Sequence, residues 1–120
     1  MTPEEFVEAL KIHARDASVA NTLKRIAAPQ VRNPSAERVE MAQWYQSLND
    51  NARRILGEVI RMAAHDAVFG ALCILDGVRV VTPVETRGSF LLFHDLSGQQ
   101  TRLNDPKGSD FLHDLFNAPE

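Results

Sequence analysis

The sequence predicts an α+β fold. N-terminal helices and one long central helix pack on a small antiparallel three-stranded meander, and a short C-terminal helix closes the chain. Three observations carry this. Residues 49–77 contain no proline and place apolar side chains at helical spacing. After Gly77 the apolar period falls from about 3.6 to about 2. Turn residues then cluster at Ser97-Gly98 and at Asn104-Asp105-Pro106-Lys107-Gly108, cutting the second half into short pieces.

The elements follow in order. Thr2-Pro3-Glu4-Glu5 opens a helix, with Thr2 as the capping hydroxyl, Pro3 at the first helical position and Glu5 completing a capping box. Phe6, Leu10, Ala14 and Ala17 share one face, and Val19, Leu23, Ile26 and Ala27 share another. That change of phase near Ser18 predicts a kink or two short helices. Pro29 stops the segment, and residues 29–34 form a Pro-bounded linker. Ser35 caps the next helix, whose apolar face is Met41, Trp44, Tyr45 and Leu48.

The long helix starts at Asn49 or Asp50. Its apolar residues are Ala52, Ile55, Leu56, Val59, Met62, Ala63, Ala67, Gly70 and Ile74, and Asp76-Gly77 ends it. A helix interior favours Ala over Gly by about 1 kcal/mol, so Gly70 predicts the close approach of a backbone or a ring. The expected neighbours are Phe90 to Phe93, or Phe111 and Phe116. Val78 to Val81 reads as a short strand, Ser89 to His94 as the strongest strand, and Gln99 to Leu103 as the third. Ser109 or Asp110 caps the final helix, which turns Phe111, Leu112, Leu115 and Phe116 inward. The long helix is the expected partner for the buried face of the sheet.

A length of 120 residues predicts one domain over residues 1–120, large enough to fold without metals or disulfides. The single cysteine, Cys73, excludes an internal disulfide and fits a reducing compartment. The N-terminus is acidic where a signal peptide is basic, and no apolar run reaches the roughly 20 residues of a membrane span. A soluble cytoplasmic protein is expected, with no membrane partner. The net charge is −3, and the excess lies in residues 104–120, where Asp105, Asp110, Asp114 and Glu120 face Lys107 alone. No basic nucleic-acid footprint is present.

Three His-Asp dipeptides stand out: His65-Asp66, His94-Asp95 and His113-Asp114. Neighbouring residues point about 100° apart on a helix and to opposite faces of a strand, so no dipeptide is a site by itself. A composite site would need His94, Asp105, Asp110 and His113 brought together. That defines the alternative reading, a small hydrolase with a His/Asp metal or acid–base site near the C-terminal end. The plainer reading makes the two aspartates turn and cap residues and the histidines satisfied surface groups. Cys73, among Leu72, Ile74 and Leu75, reads as an inert core thiol. Arg53, Arg54 and Arg61 sit in the first turns of the long helix, where positive charge opposes the helix dipole. They pair with Glu58, Glu37 or Glu40 on a solvated charged face, or they meet a ligand phosphate or an acidic partner protein.

The blocks WYQSLNDNAR, FGALCILDGVRVV and LNDPKGSDFLHDLFN resemble a family of small uncharacterised bacterial proteins with helical N-termini, a domain of unknown function. The resemblance spans about residues 20–117. It implies the element order above and a bacterial cytosolic setting, and it carries no activity or cofactor. By analogy, small acidic α+β proteins of this kind look like toxin-neutralising or adaptor proteins. The leading expectation is a non-enzymatic module that binds another protein, or itself, through the sheet or the Trp44-Tyr45 helix, with Trp44, Tyr45, Arg53 and Arg54 as candidate contact residues. No catalytic spacing, metal or cofactor is expected. A long helix beside a three-stranded sheet also leaves apolar surface, which predicts a homodimer.

Overall fold

The computed structural model describes every residue of 1–120 except Ser109. Its fold is α+β, helices followed by a two-stranded antiparallel sheet and a last short helix. Helix α1 (Pro3–Leu10) carries the full capping box of Thr2 and Glu5. It runs through a π-helical stretch, Lys11–Asp16, into α2 (Ala17–Ala27). The expected phase change is therefore real and lies a few residues earlier. The wider i→i+5 turn rotates the helix face. Val7, Lys11 and Arg15 become its buried residues.

Helix α3 (Ala36–Ser47) starts at Ser35, whose Oγ accepts from the Arg38 amide at 3.3 Å. Its one packing partner of any extent is α2. None of its residues is buried. The predicted single apolar face divides in two. Ala42 and Tyr45 are half-buried, while Val39, Met41 and Trp44 stand in solvent.

Helix α4 (Asp50–Leu75) is 26 residues long and begins with Asn49 Oδ1 accepting from the Ala52 amide at 2.8 Å. It ends in a Schellman motif: the Gly77 amide donates to Ile74 O, and the Val78 amide donates to Cys73 O. Gly77 has φ 75°, the left-handed conformation this motif needs. Arg79 also donates its amide to Cys73 O. This wrapping of the chain around the helix end is why Val78 to Val81 is not a strand, although its residues alternate. The side chain of Arg79 then returns over α4. A Cβ at Gly70 would lie 2.6 Å from Arg79 Nη1, so the close neighbour of Gly70 is a guanidinium and not a backbone or a ring.

The expected three-stranded meander is a two-stranded hairpin among the described residues. Strand β1 (Phe93–Leu96) pairs with β2 (Gln99–Arg102), with Phe93 opposite Arg102 and Leu96 opposite Gln99. Both turn residues, Ser97 and Gly98, have positive φ, as a two-residue hairpin requires. Among the described residues the first half of the predicted strand Ser89 to His94 is in no ladder, because the Asn104 side chain, and not a strand, meets its main chain at Phe90 O and at the Leu92 amide. The sheet also does not pack along α4. That helix packs on α2, the π-helical stretch and α5 (Leu112–Asn117). Two strands of four residues, with no buried side chain, offer no apolar face to a long helix.

The core is small and sits at one end. Val7, Leu72, Leu112 and Phe116 form it, with Phe6, Leu10, Val68, Phe69 and Leu92 packed against it. The buried residues of α4 are Gly70, Leu72 and Cys73, all in its last two turns. Among the described residues no helix is long and apolar enough to cross a membrane.

Candidate functional site

Trp44 and Tyr45 adjoin in sequence and part company in space. Tyr45 turns inward, and the Arg53 guanidinium lies 4.6 Å from the centre of its ring. Arg53 also donates from Nε to Tyr45 O at 3.3 Å and from Nη2 to Gln46 O at 3.4 Å. A cation over the last carbonyls of α3 complements that helix dipole and fixes the α3–α4 elbow. Arg54 is held within its own helix, with Nη1 2.8 Å from Glu58 Oε1. Trp44 is 51% exposed. With Met41, Glu37 and Glu40 it lines a shallow groove on the outer side of α3.

The residues of the composite His/Asp site have separate local duties. His94 lies on β1 opposite Thr101. Asp105 accepts from the Lys107 amide at 3.0 Å and so shapes its own turn. Asp110 precedes α5 and has a partner within the protein. The predicted cap Ser109 lies outside the described residues. Among the described residues no group of three or more His, Cys, Asp or Glu is arranged to hold a metal ion.

His113 meets a residue that sequence reasoning assigned only to a helix stop. Asp76 Oδ2 accepts from the His113 amide at 2.9 Å and lies 2.7 Å from His113 Nδ1. Asp76, at the end of α4, thus caps the first turn of α5 from outside that helix. Its side chain is 1% exposed, and its Oδ1 is buried without a hydrogen-bond partner among the described residues. His113 Nε2 lies 3.3 Å from Asp114 Oδ1. Among the described residues no hydroxyl or thiol is bonded to this ring. The nearby thiol, Cys73, is buried, and burial pushes it up, away from the thiolate a nucleophile needs.

A second polar network escaped the sequence altogether. Arg15, buried, has Nε 2.8 Å from Asp16 Oδ1 and Nη2 3.0 Å from Glu120 Oε1, and its guanidinium lies 5.7 Å from the centre of the Phe116 ring. Its hydrogen bonds hold the Asp16 and Glu120 carboxyls below their ordinary range, and Asp16 in turn raises Arg15. Arg61 reaches Asp16 at 3.5 Å. His65 Nε2 is 3.0 Å from Asn117 Oδ1, and its ring stacks on Phe116. The available signal was spacing: Lys11 and Arg15 follow Val7 at i+4 and i+8, on its own face.

Beyond the end of α4 lies a cleft of about 250 Å³, lined by Asp76, Arg79, Arg87, Arg102, Phe90 and Asn104 among others. Asn104 is its structural hub. Its Nδ2 donates to Leu75 O and to Phe90 O, both at 2.8 Å, and its Oδ1 accepts from the Leu92 amide at 2.9 Å. The sequence reading placed Asn104 in a turn, where local patterns do not reveal a partner 29 residues away.

No protein-family model matches this chain, and no curated protein or solved structure matches it either.

Proposed function

We propose that the chain is a non-enzymatic protein-binding module of adaptor or toxin-neutralising type, working in the cytoplasm, and that the outer face of α3 is its docking surface. One observation carries this. A 12-residue helix with no buried residue presents the only tryptophan of the protein to solvent. Isolated helices of this length are marginal in water, so α3 gains from a cover. Tryptophan is also the residue type most enriched at binding hot spots.

The groove indicates the partner's chemistry. Met41 and Trp44 supply apolar contact, and Glu37 and Glu40 stand beside them. A partner segment with a Lys or Arg next to an apolar anchor satisfies both, the cation lying over the indole face and near the carboxylates. The elbow held by Tyr45 and Arg53 positions this face.

The test uses the intrinsic probe. A partner purified with the wild-type protein from its own cells should shift Trp44 emission to the blue on titration. Trp44→Ala should weaken binding at least tenfold, about 1.4 kcal/mol or more, with unchanged helicity. Full affinity in that variant would exclude this face.

A further inference from the structure

We infer that two copies of this chain pair through the exposed stripe Ile55–Val59–Met62 of α4, antiparallel about a two-fold axis beside Val59. This surface is distinct from the α3 groove and does not depend on it.

The observations are these. Ile55, Val59 and Met62 are 45%, 52% and 62% exposed. They follow one another at i, i+4 and i+7, the spacing of a helix–helix seam. The opposite side of α4 is occupied, since Leu56, Gly57, Ile60 and Ala64 are half-buried and α2 packs there. Gly57 shows the contact directly: a Cβ there would lie 3.8 Å from Leu23 Cδ1. One half of the helix is therefore packed along its length, and the other half carries apolar residues that are about half exposed.

The surface area points the same way. A compact monomer of 13.4 kDa exposes about 6,500 Å². This chain exposes 8441 Å², an excess of roughly 1,900 Å². Its radius of gyration is 18.6 Å, where about 14 Å is usual for this length. That excess is spread over the elongated molecule, residues 77–91 included, all of them exposed, and a standard stable interface would remove about 800 Å² per partner of it.

A second copy fits the stripe better than an unrelated protein does. A two-fold axis makes a short stripe complementary to itself, with Val59 on the axis and Ile55 against the partner's Met62. The rim carries both signs of charge, with Arg54 paired to Glu58 and with Arg61 and Asp66 beside them, so two like rims do not repel. Antiparallel pairing sets the α1–α5 core of each copy at opposite ends and aligns the helix dipoles favourably.

Sedimentation equilibrium of the full chain is the test, from low to high micromolar concentration. The wild type should give twice the monomer mass, and Val59→Glu the monomer mass with its helicity retained. A second variant guards against misfolding. Val59→Cys places one accessible thiol near the axis, since Cys73 is buried. Mild oxidation should cross-link it into a dimer, and Gln43→Cys on α3 should not cross-link. A monomeric wild type overturns the inference. So does a folded Val59→Glu that keeps the dimer mass, or cross-linking at position 43 without position 59.

Discussion

Arg15 shows what a single side chain can organise. It is buried among groups from the π-helical stretch, α4 and the C-terminal residues, with both of its carboxylate partners at the surface. Asp16 and Glu120 are lowered chiefly by their hydrogen bonds to it. A carboxyl whose folded pKa is lower than its unfolded one stabilises the protein at neutral pH. That contribution is lost as pH falls from the ordinary carboxylate range, about 4, through the lowered folded values. Melting temperatures at pH 7 and pH 3 should therefore differ more for the wild type than for the Asp16→Asn/Glu120→Gln variant. An equal drop in both would show that the Arg15 contacts do not persist in solution. Arg15 was hard to read from sequence because two basic residues at i+4 and i+8 after Val7 read as a solvated face, and only the tertiary neighbours decide otherwise.

At the scale of elements, the joints decide the fold. Asn104 ties the end of α4 to the segment entering the hairpin through three short hydrogen bonds to main-chain groups. Asn104→Ala would leave two carbonyls and one amide without partners in a buried place, a cost of about 2–4 kcal/mol. Asn104→Asp should cost at least as much, because its carboxylate faces the Leu75 and Phe90 carbonyls without a donor. Urea midpoints of both variants check this, and a shift under about 0.5 kcal/mol in either would mean that water replaces the tie. The helices were legible because their signals are local: the caps Thr2, Ser35 and Asn49 and the stop at Gly77 stand where the sequence placed them. The hairpin turn Ser97-Gly98 was legible for the same reason. The third strand was not, since alternation at Val78 to Val81 indicates two faces and is silent about a pairing edge. The helix end captured that segment first. The candidate contact residues were half legible. Aromatic content marked Trp44 and Tyr45, but which ring faces water depends on where α2 lies.

At the scale of the whole molecule, stability is unevenly spread. The buried core joins α1, the last turns of α4 and α5, while α3 and the first half of α4 contribute no buried residue. Local opening follows the depth of packing, so the two ends should exchange amide hydrogens at different rates. Residues 68–75 should exchange slowest, because opening them breaks the core. Residues 36–47 should exchange fastest among the helices, since only contacts with α2 oppose their fraying. Residues 50–62 are the informative span. Their helix is packed on one side alone in a single chain, and a second copy would cover the other. Their protection should therefore rise with protein concentration in the wild type and stay at the lower level in Val59→Glu. Residues 68–75 should be insensitive to both. Uniform protection along the whole of α4, independent of concentration and of the variant, would mean that the first half of the helix is stable without a partner, and that its exposed apolar residues are only surface.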